Sequence, residues 1–175
     1  MSDMAKWFFD QARLGKLFHG QNTTAGAVTV LSATCTGLVL ENPYGSCKAL
    51  VVKSGSFTGS ILSTIREIGI QISGVVQTVV STATTAAAMH NAKLAGTNIN
   101  TGVGRVYSIA TLGSTPVWLT SIGSPKVTAA VDAAPALVWQ PNGDVIVMPG
   151  TYVAFGALTA AATGMCSFTW AEIDE

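Results

Sequence analysis

From Thr24 onward the chain is a series of short β-type runs separated by turn residues, and the last of them alternates hydrophobic and polar positions. In Met165–Ile173, Cys166, Phe168 and Trp170 fall on one face and Ser167 and Thr169 on the other, the pattern of a strand with one buried side. Before it, Val145–Met148 is β-branched and apolar, Pro149-Gly150 interrupts it, and Thr151–Phe155 resumes in β-formers, which predicts strand, bend, strand. Shorter apolar runs predict strands at Ala27–Leu31, Thr36–Leu40, Ala49–Val52, Val106–Leu112, Val117–Ile122, Val127–Val131 and Leu137–Gln140. Asn42–Ser46 and Pro141–Asp144 are turns between them. Ile68–Val80 reads as one long strand or two short ones, and Phe57–Ile65 fits no single period. Thr82–Gly96 is the least strand-like stretch: its Ala-rich centre, Ala86–Leu94, has helix propensity, so a crossing loop with a helical turn is expected.

About eight to ten strands at spacings of roughly ten residues predict an all-β fold, a sandwich or barrel rather than alternating β and α units. The start of the chain departs from this texture. Met4, Trp7, Phe8, Leu14, Leu17 and Phe18 recur at mixed spacings of three and four, Ser2 or Asp3 can cap, and Gly15 and Gly20 weaken the far end. Residues 1–24 are therefore expected to form an N-terminal arm or short amphipathic helix, and residues 25–175 a single β-sandwich domain. Three of the nine acids close the chain, Glu172, Asp174 and Glu175, so the last strand is expected to end at the surface.

Composition sharpens the picture of the surface. Charged residues make up 10% of the 175, against about 25% in an ordinary soluble domain, and mean hydropathy is +0.46. No apolar run approaches the roughly 18 residues of a membrane helix. A surface this low in charge points to burial against partner subunits. Nine basic and nine acidic side chains leave no net field to attract nucleic acid or an anionic membrane, and neither partner is expected. Cys35, Cys47 and Cys166 lack Cys-x-x-Cys spacing, so free thiols are expected, with a single Cys35–Cys47 bridge as the alternative. The first apolar cluster is short and interrupted by Asp10 and Arg13, unlike a secretion signal, which suits assembly in a reducing cytoplasm.

Candidate chemistry is sparse. His19 and His90 stand in neither His-x-His nor His-Glu-x-x-His spacing, and no Gly-x-Ser-x-Gly elbow occurs. Gly102-Val-Gly104 lacks the rest of a dinucleotide fingerprint, so its glycines are assigned to a turn. Gly143 followed by Pro149-Gly150 resembles the second metal motif of the cupins, but Thr151, Tyr152 and Val153 stand where that family has a histidine. Asn22-Thr23-Thr24 matches a glycosylation acceptor and is read as a chance match. Glu41, Glu67, Asp132 and Asp144 show no pairing in sequence and are assigned to solvated strand ends. Tyr152, Phe155, Phe168 and Trp170 are assigned to the core ahead of a sugar site. No catalytic residue, metal or cofactor is expected, and the chain is not expected to be an enzyme.

The layout itself has a likeness. An aromatic arm, Thr-rich strands, an Ala- and Thr-rich middle, the bend in Val-Met-Pro-Gly-Thr-Tyr-Val-Ala-Phe-Gly and the closing Phe-Thr-Trp-Ala-Glu-Ile-Asp resemble the jelly-roll capsid cement, or decoration, proteins of tailed bacteriophages. The likeness implies a jelly-roll-like antiparallel β-sandwich that forms homodimers or homotrimers on the outer surface of the capsid, assembled in the host cytoplasm. It further implies contact with the major capsid protein, whose neighbouring copies it bridges, and no catalytic residues. Met4, Trp7, Phe8, Phe9, Leu14, Leu17 and Phe18 are the expected partner interface, because aromatic and large apolar residues dominate interface hot spots. The alternative is a receptor- or glycan-binding jelly roll of a phage tail or fibre, for which Tyr44, Tyr107, Trp118 and Trp139 are the available aromatics.

Overall fold

The computed structural model describes residues 3–59, 66–93, 102–124 and 136–175. One helix precedes the strands: α1 (Asp3–Arg13), β1 (Leu17–Gln21), β2 (Gly26–Val28), β3 (Thr34–Asn42), β4 (Lys48–Gly59), β5 (Ile68–Ile72), β6 (Ser81–Ala86) and β7 (Ala88–Asn91). There follow β8 (Arg105–Leu112), β9 (Val117–Gly123), β10 (Ala136–Trp139), β11 (Ile146–Val147), β12 (Thr151–Ala157) and β13 (Ala162–Asp174).

The alternation seen in Met165–Ile173 builds the strand that organises one sheet. β13 pairs with β4 from Gly164 to Asp174, with an irregularity between Thr169 and Trp170, and with β1 on its other side. That sheet runs β10-β4-β13-β1-β7, with β11 added to β4 and β2 to β13. The second sheet runs β6-β8-β3-β12-β5-β9, and the ladders in both are antiparallel. Number the strands β1, β3, β4, β5, β9, β10, β12 and β13 from one to eight. The first sheet then contains the order 1-8-3-6 and the second 2-7-4-5, which is the two-Greek-key arrangement of a jelly roll. The expected fold is therefore observed. Strands β6, β7 and β8 lie in a long insertion between the fourth and fifth of these; β7 extends the first sheet beside β1, and β8 and β6 extend the second beside β3.

The core lies between the sheets, where the inward positions of both meet. Leu38, Leu40, Leu50, Val52, Ile68, Ile70 and Val153 are fully buried there, with Phe155 stacked on Phe168 at 4.7 Å and Phe18 on Trp170 at 6.0 Å between ring centroids. Phe155, Phe168 and Trp170 are thus core, as read from their alternation. Tyr152 and Ala154, one step out of phase, are buried on the opposite face of the second sheet with Cys35, Val39 and Val80. Helix α1 lies on the outer face of the first sheet, its Phe8 packed with Leu17, Val51 and Ala171.

Four expectations are corrected. The strand from Ile68 stops at Ile72, and Val75, Val76 and Val79 are exposed in the segment that follows. The Ala-rich stretch is not helical up to Asn91: β6 and β7 form instead, because pairing of β7 with β1 and of β6 with β8 satisfies backbone groups that a short isolated helix would leave to water. The arm expected over residues 1–24 divides, since Leu17–Gln21 is an interior strand between β13 and β7. Glu41, assigned to a solvated strand end, is buried; the last strand does end at the surface, with Asp174 and Glu175 exposed, although Glu172 just before them is buried. The strand predicted at Val127–Val131 and Asp132 lie outside the described residues. The Pro149-Gly150 bend forms as predicted, with Gly150 at φ +83°, a conformation other residues adopt only with strain.

Candidate functional site

The buried polar groups hold strands and loops together. Glu172 is the clearest case. Its Oε2 accepts the Val103 N–H and its Oε1 the Gly104 N–H, each at 2.9 Å, and Oε1 also accepts the indole N–H of Trp170 at 3.2 Å. A Cβ on residue 102 would stand 2.7 Å from Glu172 Oε1, and one on residue 104 would stand 3.0 Å from Trp170 Nε1. The two glycines of Gly102-Val-Gly104 therefore let that loop descend onto the carboxylate. Glu41 accepts a hydrogen bond from the Ser81 hydroxyl; burial pushes its carboxyl above the ordinary range, opposed by that bond and by Arg105. Asp174 sits between Lys16 and Lys48, whose hydrogen bonds and charge hold its carboxyl low.

The thiols and imidazoles do not assemble into a nucleophilic or metal centre. All three cysteines are free, Cys35 and Cys166 buried and Cys47 exposed. Burial pushes Cys35 up to about 12 and Cys166 higher, so both remain inert thiols. His19 and His90 face each other across β1 and β7, and His19 Nδ1 lies 3.0 Å from Thr169 Oγ1. Burial lowers the His19 pKa, against a raising hydrogen bond to the Gln21 side chain, and His90 lowers it further. Among the described residues no group of three or more His, Cys, Asp or Glu side chains is placed to hold a metal. The cupin-like spacing proves to be turn geometry, closed by Thr151 Oγ1 donating to the Met148 carbonyl at 2.7 Å. Asn22 is buried and occupied, its side chain bonded to Cys166 N, Thr24 O and Gly164 O.

The seven expected interface residues separate into two groups. Phe8, Leu17 and Phe18 are buried within the chain's own fold. Met4, Phe9 and Leu14 are 42, 58 and 65% exposed, and Trp7 is half-buried against Phe8 in an edge-on contact at 4.8 Å. Met4 and Trp7 line one wall of a recess of about 420 Å³ whose other wall is Val51, Gly143 and Ile146. Asp3 is its one charged member. Sequence periodicity found the helical wall; the wall from β4 and β11 depends on how α1 folds back and had no local signal.

A second concavity, of about 610 Å³, lies at the end of the sandwich near the β3–β4 turn. Tyr44 stands on that turn, Arg105 and Tyr107 lie at the start of β8, and the Gly102–Gly104 loop closes one side. A smaller recess of about 270 Å³, lined by Glu41 and Ser81, shares Pro43, Tyr44 and Arg105 with it. Of the four aromatics named from sequence, Tyr44 and Tyr107 come together here. Trp118 instead packs over Gly69, where a Cβ would stand 2.4 Å from its ring, and Trp139 packs against the core. Among the described residues no helix is long and apolar enough to cross a membrane. Comparison with protein-family models, with curated proteins and with solved structures finds no match to this chain.

Proposed function

We propose that this chain is a structural protein of a virus particle: a cement or decoration subunit that docks on the outer surface of a bacteriophage head, associates with further copies of itself, and bridges neighbouring major capsid proteins. The observation that carries the reading is the apolar recess between α1 and β11, where Met4 and Ile146 stay 42 and 49% exposed in a chain with 10% charged residues. Such side chains in water are stabilised by covering them, at roughly 25 cal/mol for each Å² of apolar surface removed. The jelly roll supports it, since this architecture serves viral capsid proteins as well as lectins and cupins. A rigid sandwich is suited to bracing a lattice, and many modest contacts repeated around a shell sum to strong attachment.

The reading is tested on heads prepared with and without the chain and warmed stepwise in a dye that reports released DNA. Heads without it should release DNA at lower temperature, and adding the purified chain should restore them. Heads equally stable with and without the chain, to which the added chain does not attach, would overturn the proposal.

A further inference from the structure

The concavity around Tyr44, Arg105 and Tyr107 has the features of a site built before its ligand arrives. Its two walls are each pinned by a buried polar hub. On the turn side, Asn42 Nδ2 donates to the carbonyls of Lys48 and Val147 at 2.7 and 2.8 Å, and its Oδ1 accepts the Ser46 hydroxyl at 2.6 Å. On the loop side, Glu172 holds Val103 and Gly104 by their amide hydrogens. Between these walls Tyr44 keeps 59% of its surface in water. Arg105 is also exposed, and among the described residues no carboxylate lies within 4.0 Å of its guanidinium. Its cross-strand neighbour Glu41 acts on it by charge but makes no ion pair with it, and accepts a hydrogen bond from Ser81.

We infer that this groove binds a carboxylate-bearing saccharide, a uronic or sialic acid unit, with Arg105 taking the carboxylate and Tyr44 and Tyr107 packing on the sugar ring. The guanidinium fork matches a carboxylate in two parallel hydrogen bonds. Phenol rings offer apolar faces to the C–H face of a pyranose and polar rims to its hydroxyls. The hydroxyls of Ser46 and Ser81 spend their protons inward on Asn42 and Glu41, so their remaining lone pairs are acceptors suited to sugar hydroxyl donors. The volume lies within the range of small-molecule sites, and walls fixed in advance lower the ordering cost of binding. An acidic peptide would also meet Arg105, and the peptide comparison below separates the two ligands. This inference is independent of the capsid reading, since a site on the end of the sandwich would serve a free or a head-bound subunit alike.

The test is binding of the full chain to N-acetylneuraminic acid and to oligogalacturonate, followed by amide shifts in NMR and by calorimetry. The matched neutral oligosaccharide, inorganic phosphate and an oligo-glutamate peptide serve as comparisons. At least one acidic sugar should bind about tenfold more tightly than its neutral counterpart, with shifts at Tyr44 and at 102–107. Arg105→Gln should abolish that preference and Tyr44→Ala should weaken binding about fivefold, both with unchanged thermal unfolding. No binding of either acidic sugar at 10 mM, on the order of a useful lower limit of affinity, would overturn the inference. So would binding that both variants leave intact, or equally tight binding of phosphate or the peptide.

Discussion

Glu172 shows how one side chain can govern a distant loop. Its carboxylate receives three donors, two from the loop at 102–104 and one from Trp170 in the core. Glu172→Ala would leave those donors buried without an acceptor, at about 1–3 kcal/mol for each that water does not reach. A loss of roughly 3 kcal/mol in urea unfolding is expected, with the amide resonances of Val103 and Gly104 broadened or displaced. Glu172→Gln, which keeps one acceptor oxygen, should lose less. His19 supplies a pH dependence at the same scale. Its folded pKa lies below the ordinary 6.5 because burial disfavours the imidazolium, with Gln21 opposing and His90 adding to the shift. The unfolded chain therefore binds more protons than the folded one as pH falls below 6.5. The stability associated with His19 is complete above that pH and is lost as pH falls through the lower folded value. Replacing His19 by Gln should flatten the slope of unfolding free energy below pH 6.5, read from denaturant titrations at each pH.

At the scale of elements, α1 is a two-sided helix whose faces make different predictions. Phe8 is 2% exposed in the cluster with Leu17, Val51 and Ala171, whereas its neighbour Phe9 is 58% exposed. Phe8→Ala should cost about 3–5 kcal/mol in chemical unfolding, and Phe9→Ser within about 0.5 kcal/mol of none. A similar cost for both would mean that α1 does not pack as described. The strands were legible because a half-buried strand writes its burial into alternate residues, as Cys166, Phe168 and Trp170 do. β12 was legible for another reason: buried on both faces, it reads as an unbroken apolar run from Tyr152 to Phe155. β6 and β7 were not legible. Ser81–Ala86 is exposed at nearly every position, so no buried face imprints a period on Ser-Thr-Ala-Thr-Thr-Ala, and alanine propensity misdirects the reading. Glu41 was misplaced at a solvated strand end, and the burial of Glu172 went unread, because a carboxylate satisfied by partners far along the chain looks the same in sequence as a solvated one.

For the molecule as a whole, the jelly-roll order emerges only when β13, last in sequence, is inserted between β1 and β4. Such pairings join residues more than a hundred positions apart, and no local pattern encodes them. The same long-range closure assembles the two concavities. The Tyr44 groove draws on the β3–β4 turn and the insertion that carries β6–β8, and the apolar recess draws on α1 and β11. At that recess Met4, Trp7, Val51 and Ile146 meet. The proposed attachment of this surface to a head is tested by co-sedimentation with heads that lack the chain. The native protein should sediment with them to saturation, and Ile146→Glu should bind about tenfold more weakly while unfolding at an unchanged temperature. A native chain that stays unbound, or an Ile146→Glu variant that binds as well as the native one, would contradict the account.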